Sequence, residues 1–485
     1  MNKKFEDVIA EQGRLVYTNV GDSMFPIIRE GDLLVINAVT EPLKVGDVPL
    51  YKRDSGQYIM HRIVALKNGK YTMKGDNRAI AEKGITDRHI IGVLTGIVRN
   101  GRTYPVETVE EYTVRIAKEL IYLLSCAVNE ETPDPDRVKG MDMAEIYRLS
   151  REHMLTAAVS YALEKTIPLP YAFNQAQKKA IRKLTLFEIE RAAITRELEK
   201  AGIWYLPLKG ILLKNDYPKS AMREMSDNDI LVDNTKMPEV RQIMERLGYT
   251  CEMYGRFNHD VYSKPPTLEF EMHHSLFDKD VLPHQDRYYK HIREKLLPLP
   301  GSEYGLKMTD EDFYLYILCH LYKHYTHAGS GLRSLLDIYV FRRAHPNLDR
   351  EYLDAELQKL KIADFERKIR RMSQSLFTVG EPDEEDQKDF VYLIMSGYKG
   401  KFETLEHNQL VKNLNNDDSK ASKLRYLKKR FFLSGDSLQK QYPFFAKHKA
   451  LYPLLLIYRP LKGAVTHPKG ILRELYRVKS FKKEG

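Results

Sequence analysis

A multidomain chain, with a small all-β module followed by an α+β core embedded in helical regions, is the fold class predicted by three observations. At 485 residues the chain exceeds what one ordinary core holds. Residues 15 to 106 break into short β-branched runs punctuated by turn signals, whereas the sequence from 107 onward carries helical spacing. Between 201 and 300 strand-like and helix-like segments alternate, which they do nowhere else in the chain. The predicted boundaries are 1–106 for the β module, 107–200 for a helical region, 201–300 for the α/β core, 301–440 for a helical domain and 441–485 for basic terminal helices.

The β module rests on the runs "LVYTNV", "LLVINAV", "VPLYKRD", "QYIMHRIVALK", "KYTMK" and "IIGVLTGIV", separated by Gly-Asp turns at 21, 31, 46 and 75. The helical region after it is interrupted by "NEETPDPDRVKG", whose prolines and acids predict a loop. In the core, "IWYLPLKG", "NDILVD" and "LEFEMHHSLF" read as strands around the helical "MPEVRQIMERLG". The next helix opens at "TDEDFYLYILCHLYKHY", where Thr309 three residues before Asp312 makes a capping-box-like start.

A composition of 43% hydrophobic and 30% charged residues supplies apolar material for packed cores and excludes a disordered tract. Net charge is +10, with the surplus near the end, in "SKASKLRYLKKRFF" and "ELYRVKSFKKEG". Those basic, aromatic-spaced helices could touch phosphates or the surface of an anionic membrane. So small a charge argues against a nucleic-acid partner. Cys126, Cys251 and Cys319 are far apart and form no CxxC pair, so neither a disulfide framework nor a zinc ribbon is expected. The N-terminal stretch has no apolar h-region, and no run of about 18 apolar residues occurs. The segment "ALYPLLLIYRPLKG" is interrupted by Pro453, Arg459 and Pro460, so a cytoplasmic location with at most peripheral membrane contact is expected.

Two constellations carry chemistry. In "GDSMFPIIREGDLLVI", Ser23 stands in a turn between strands, where a hydroxyl is exposed but needs a neighbouring base to attack. "YIMHRIVALKNGKYTMKGDN" supplies His61, and its hairpin can return to the serine turn. The order of SMxP with a following GD, then HR, then KGDN resembles the signal peptidases, in the endoplasmic-reticulum-like branch that uses histidine in place of lysine. The resemblance implies a serine endopeptidase with Ser23 as nucleophile, His61 as general base, and a peptide or precursor protein as substrate, without a cofactor. Where that branch has an acidic pair, this chain has Ala81 and Glu82; Glu82 is the candidate for orienting His61, with Asp76 and Asp87 as alternatives.

The second constellation is Asp227-Asn228-Asp229, whose two carboxylates share one side of a strand and can grip a metal ion, with Glu269 or Glu271 on a neighbouring strand as the third acid. Glu271 is preferred. A turn and helix, then DxD, then an acidic strand ending in ExH resembles the polymerase-beta-like nucleotidyltransferases, and more closely an uncharacterised branch carrying LKG, YP and Arg before the DxD strand. Here those are Lys209 and Gly210, Tyr217 and Pro218, and Arg223. The resemblance implies Mg²⁺ at Asp227, Asp229 and Glu271, and a nucleoside triphosphate whose phosphates meet Lys209, Gly210, Arg223, Lys323, His324 and Arg333. Lys214 is a further cation, and Asp337 is expected to hold an arginine. His320, His324 and His327 share one helical face, which could hold a metal ion but more readily packs over the nucleotide site. A bifunctional enzyme is therefore expected, with a regulatory or binding protein carrying one idle module as the alternative.

Overall fold

The computed structural model describes residues 3–327, 329–378, 380–397, 419, 423, 442–451, 453–455 and 458. They divide into two compact units, Met1–Ile116 and Ala117–Gly485.

In the first unit, α1 (Phe5–Gln12) ends on Gly13, whose φ of 68° gives the left-handed cap that glycine adopts without strain. The strands β1 (Arg14–Thr18), β2 (Leu33–Asn37), β3 (Pro49–Lys52), β4 (Tyr58–Met60), β5 (Arg62–Lys67), β6 (Lys70–Lys74), β7 (Glu82–Ile85), β8 (Ile90–Arg99) and β9 (Arg102–Tyr104) follow. One antiparallel sheet has the order β1-β2-β8-β3-β4 with β9 on β8, and a second has the order β5-β6-β7. Tyr51, Ile63 and Met73 are wholly buried and cluster with Leu43, Tyr71 and Ile85, so side chains of both sheets close one core. Each such side chain contributes about 1.5–3 kcal/mol by leaving water. The run "QYIMHRIVALK", expected as one strand, is two. Met60 pairs with Leu50 in the first sheet and Arg62 with Lys74 in the second, so His61 sits where the chain changes sheets.

The division between units falls within α2 (Val109–Val128). Next come α3 (Pro135–Gly140), α4 (Met143–Glu152), α5 (Thr156–Leu163) and α6 (Tyr171–Lys200). The stretch expected as a loop contains α3, because the Asp134 carboxylate accepts the Asp136 N–H at 2.8 Å and Pro135 opens the helix. The α/β core comprises β10 (Tyr205–Pro207), α7 (Gly210–Leu213), β11 (Asn228–Val232), α8 (Met237–Arg246), β12 (Thr250–Met253), β13 (His259–Lys264) and β14 (Leu268–His273). Its sheet runs β10-β11-β14-β13-β12, with β11 and β14 parallel and Asp229 opposite Glu271. Phe187, Ile194 and Leu198 of α6 and Val240, Ile243 and Met244 of α8 pack on Ile230, Val232, Phe270 and Met272. Strand alternation turns Asp229, Glu269 and Glu271 to the opposite face. Beyond lie α9 (Pro283–Tyr289), β15 (Leu297–Pro298), β16 (Leu306–Lys307), α10 (Asp310–Thr326), α11 (Leu332–Ala344), α12 (Arg350–Leu360), α13 (Ala363–Thr378) and α14 (Gln387–Ser396). Thr309 caps α10 by accepting the Asp312 N–H at 3.1 Å. The expected basic helices fall almost wholly outside the described residues. Among the described residues no helix is long and apolar enough to cross a membrane.

Candidate functional site

In the first unit the Gly75–Arg78 turn is fastened onto the Ser23 turn. The Asn77 N–H donates to the Ser23 carbonyl at 2.8 Å, its side-chain amide donates to the Asp22 carbonyl at 3.1 Å, and Arg78 pairs with the Asp22 carboxylate at 2.5 Å. A Cβ on Gly75 would lie 2.6 Å from the Ser23 carbonyl oxygen and 3.0 Å from His61 Nε2. Only glycine permits that approach, and it places His61 Nε2 beside the serine turn. Ser23 is half-buried, and its hydroxyl and N–H bond to no other described group. Burial, then the Arg53 charge, lower the His61 pKa from its ordinary value, so the imidazole is neutral and able to accept a proton.

The three carboxylates weighed for His61 have other partners. Asp76 accepts a bidentate bond from Arg62 at 2.9 and 2.7 Å, and Arg62 also donates to the Gly46 and Glu107 carbonyls. Asp87 accepts from the Tyr71 hydroxyl at 2.7 Å. Glu82 is bound by Arg53 through Nε at 2.8 Å and Nη2 at 2.7 Å, which lowers its pKa. It reaches His61 only through Tyr51: the Tyr51 hydroxyl donates to Glu82 Oε2 at 2.8 Å and lies 3.3 Å from His61 Nδ1. Sequence reasoning missed Tyr51, which in "VPLYKRD" looks like any inward strand residue.

In the second unit a cleft of about 400 Å³ is lined by Lys209, Gly210, Arg223, Asp227, Asp229, Glu271, Lys323, His324 and Arg333, so every residue nominated for the nucleotide site reaches it. Lys209 has φ 46° and ψ −120°, a backbone conformation that a side-chain-bearing residue holds at about 1–3 kcal/mol. That turn delivers its ammonium group to Asp229 Oδ1, with Glu271 Oε2 at 4.0 Å. A Cβ on Gly210 would meet Arg223 Nη1 at 2.9 Å, so the LKG glycine makes room for a guanidinium. That guanidinium is bound at 2.9 Å through both Nε and Nη2 to Asp337, which also accepts from Tyr217 at 2.7 Å.

The acids group differently from the expected trio in one member. Oxygens of Asp227, Glu269 and Glu271 lie within 4.8 Å of one another. Asp229 stands beside them, engaged by Lys209 and, at 2.9 Å, by His273 Nε2. Burial opposes ionisation of Asp229, but Lys209 and His273 outweigh it and hold the carboxyl well below its usual range. Asp227 is raised by burial and by the neighbouring Asp229 charge. His273 is held above the ordinary histidine value because its bonds to Asp229 and Glu271 overcome burial. His259, which no motif flagged, has Nε2 3.5 Å from Glu271 Oε1, and burial followed by the His273 charge pushes its pKa down to about 4. On α10, His320 and His324 touch through their Nε2 atoms at 3.2 Å. Burial lowers both, His324 to about 3, so they face the cleft as neutral groups. Lys214 pairs instead with Glu188 at 2.9 Å.

Residues 4–95 match the model of a family described as Peptidase S24-like, and residues 139–378 match that of an uncharacterised nucleotidyltransferase family. These are the two halves of the expected fusion, in the expected order. No curated protein matches the chain.

Proposed function

We propose that the chain is a bifunctional enzyme, combining a Mg²⁺-dependent nucleotidyltransferase that uses a nucleoside triphosphate with a serine endopeptidase of the histidine-type signal-peptidase kind. The observation that carries the first activity is the meeting, in one cleft, of three carboxylates within 4.8 Å and the cations Lys209, Lys323 and Arg333. The donor set fits a hard divalent cation: oxygens of Asp227, Glu269 and Glu271 converge, and Asp229 borders them. A bound Mg²⁺ supplies Lewis acidity at the phosphate and neutralises charge on the departing pyrophosphate. Lys323 of α10 and Arg333 of α11 line the same cleft, where they would meet the phosphates. Lys209 holds Asp229 ionised, and Arg223, already paired with Asp337, braces the Lys209-Gly210 turn and adds little free charge. Transfer of a radiolabelled nucleotide should require Mg²⁺ and vanish in Asp227→Ala with Asp229→Ala; transfer that persists there would refute the assigned site.

For the first unit, the Ser23 hydroxyl attacks the peptide carbonyl while His61 Nε2 takes its proton and later passes it to the departing amine. The unpartnered Ser23 N–H supports a place for the oxyanion. A fluorophosphonate probe should label the native chain and spare Ser23→Ala; equal labelling of both would sink this activity. The three widely spaced free cysteines support a cytoplasmic setting, in which the substrate is a leader or precursor peptide.

A further inference from the structure

The hydrogen bonds around His61 give one more residue a part. Arg53 grips Glu82 through two N–H groups and keeps it ionised, so the Glu82 carboxylate can only accept hydrogen bonds. The Tyr51 hydroxyl has one proton, and it is donated in the hydrogen bond to Glu82 Oε2 at 2.8 Å. Toward His61 Nδ1, 3.3 Å away, the Tyr51 oxygen therefore has only lone pairs to offer. Nδ1 must carry the imidazole proton, and Nε2 is left bare on the side of Gly75 and the Ser23 carbonyl. Tyr51 is fixed for this part: it is wholly buried, and its neighbours Leu50 and Lys52 are paired with Met60 and Tyr58 across β3 and β4.

We propose that Tyr51 is the positioning residue of the peptidase site, relaying the Glu82 carboxylate to His61 and selecting the tautomer whose Nε2 is free to take the Ser23 proton. The relay takes the place of the direct carboxylate–imidazole contact expected from the sequence. The consequence for catalysis rests on the peptidase reading of the first unit, whereas the tautomer does not.

The test uses the full chain with ¹⁵N-labelled histidine, observed by long-range ¹⁵N–¹H correlation at pH 8, with His61 assigned from the signals lost in His61→Gln. Native His61 should show a protonated Nδ1 and an unprotonated Nε2, and Tyr51→Phe should move the proton toward Nε2. Fluorophosphonate labelling of Ser23 should slow by about 10²-fold or more in Tyr51→Phe, the scale of a lost acid–base function. Adding Glu82→Gln should slow it no further, because the two residues act in series. A native His61 already protonated at Nε2 would overturn the assignment, and that observation does not depend on Tyr51→Phe folding. So would a Tyr51→Phe chain with unchanged tautomer and rate. If Ser23 resists the probe while the Nδ1 proton still depends on Tyr51, the peptidase reading fails and the role of Tyr51 in setting the tautomer stands.

Discussion

Replacing Asp337 with alanine should be among the most damaging single changes in the second unit. The carboxylate accepts Arg223 Nε and Nη2, both at 2.9 Å, and the Tyr217 hydroxyl at 2.7 Å, with both charged side chains less than a tenth exposed. Asp337→Ala leaves a buried guanidinium without its counter-charge, a loss of about 3–5 kcal/mol for a broken buried pair. Trp204 is the only tryptophan and precedes β10, so its fluorescence reports urea unfolding of this unit alone. With a denaturant slope of about 3 kcal/mol/M, the midpoint should fall by about 1–1.7 M. Arg223→Met with Asp337→Leu should recover most of that loss, because apolar replacement removes both buried charges together. A shift of less than about 1 kcal/mol in Asp337→Ala, well below the scale for a broken buried pair, would mean that the Arg223–Asp337 pair does not stabilise this unit. It would also weaken the claim that Arg223 braces the turn at Gly210.

Gly75→Ala should abolish Ser23 labelling while leaving the second unit's unfolding unchanged, since the new methyl meets the Ser23 carbonyl at 2.6 Å; native labelling rates would contradict the packing. Labelling needs neutral His61, and burial and Arg53 lower its pKa, so the acid limb of the pH profile should lie below the ordinary histidine value of about 6.5. A limb at or above that value counts against the assignment. Glu269→Gln should weaken Mn²⁺ binding, read by electron paramagnetic resonance, by about tenfold or more as one carboxylate ligand is lost; unchanged affinity would return the site to the Asp227, Asp229 and Glu271 trio.

Groupings that depend on residue type at fixed spacing were legible in the sequence. Ser23 and His61 stand in a recognisable order, and the LKG turn, DxD strand and acidic strand led to one cleft. What escaped depends on through-space pairing. Tyr51 becomes special only because the chain switches sheets at His61 and turns its imidazole toward the β3 tyrosine. His259 reaches Glu271 through the pairing of β13 with β14, which places Val261 opposite Glu271 and His259 opposite His273. Glu269 and Asp229 share the alternation that made both plausible ligands, and the partners Lys209 and His273 separate their roles. The helix at Pro135–Gly140 was hidden because its proline and acids, which signal a loop in isolation, also make a good helix start after Asp134.

Nucleotidyl transfer is distinguished from other phosphate chemistry by offering the chain two triphosphates, one labelled at the α-phosphate and one at the γ-phosphate, each with Mg²⁺. Nucleotidyl transfer predicts that the α-label becomes acid-stable on an acceptor, the γ-label leaves as pyrophosphate, and Asp227→Asn with Glu271→Gln does neither. Transfer of the γ-label instead, or α-label transfer that survives loss of those two carboxylates, would contradict it.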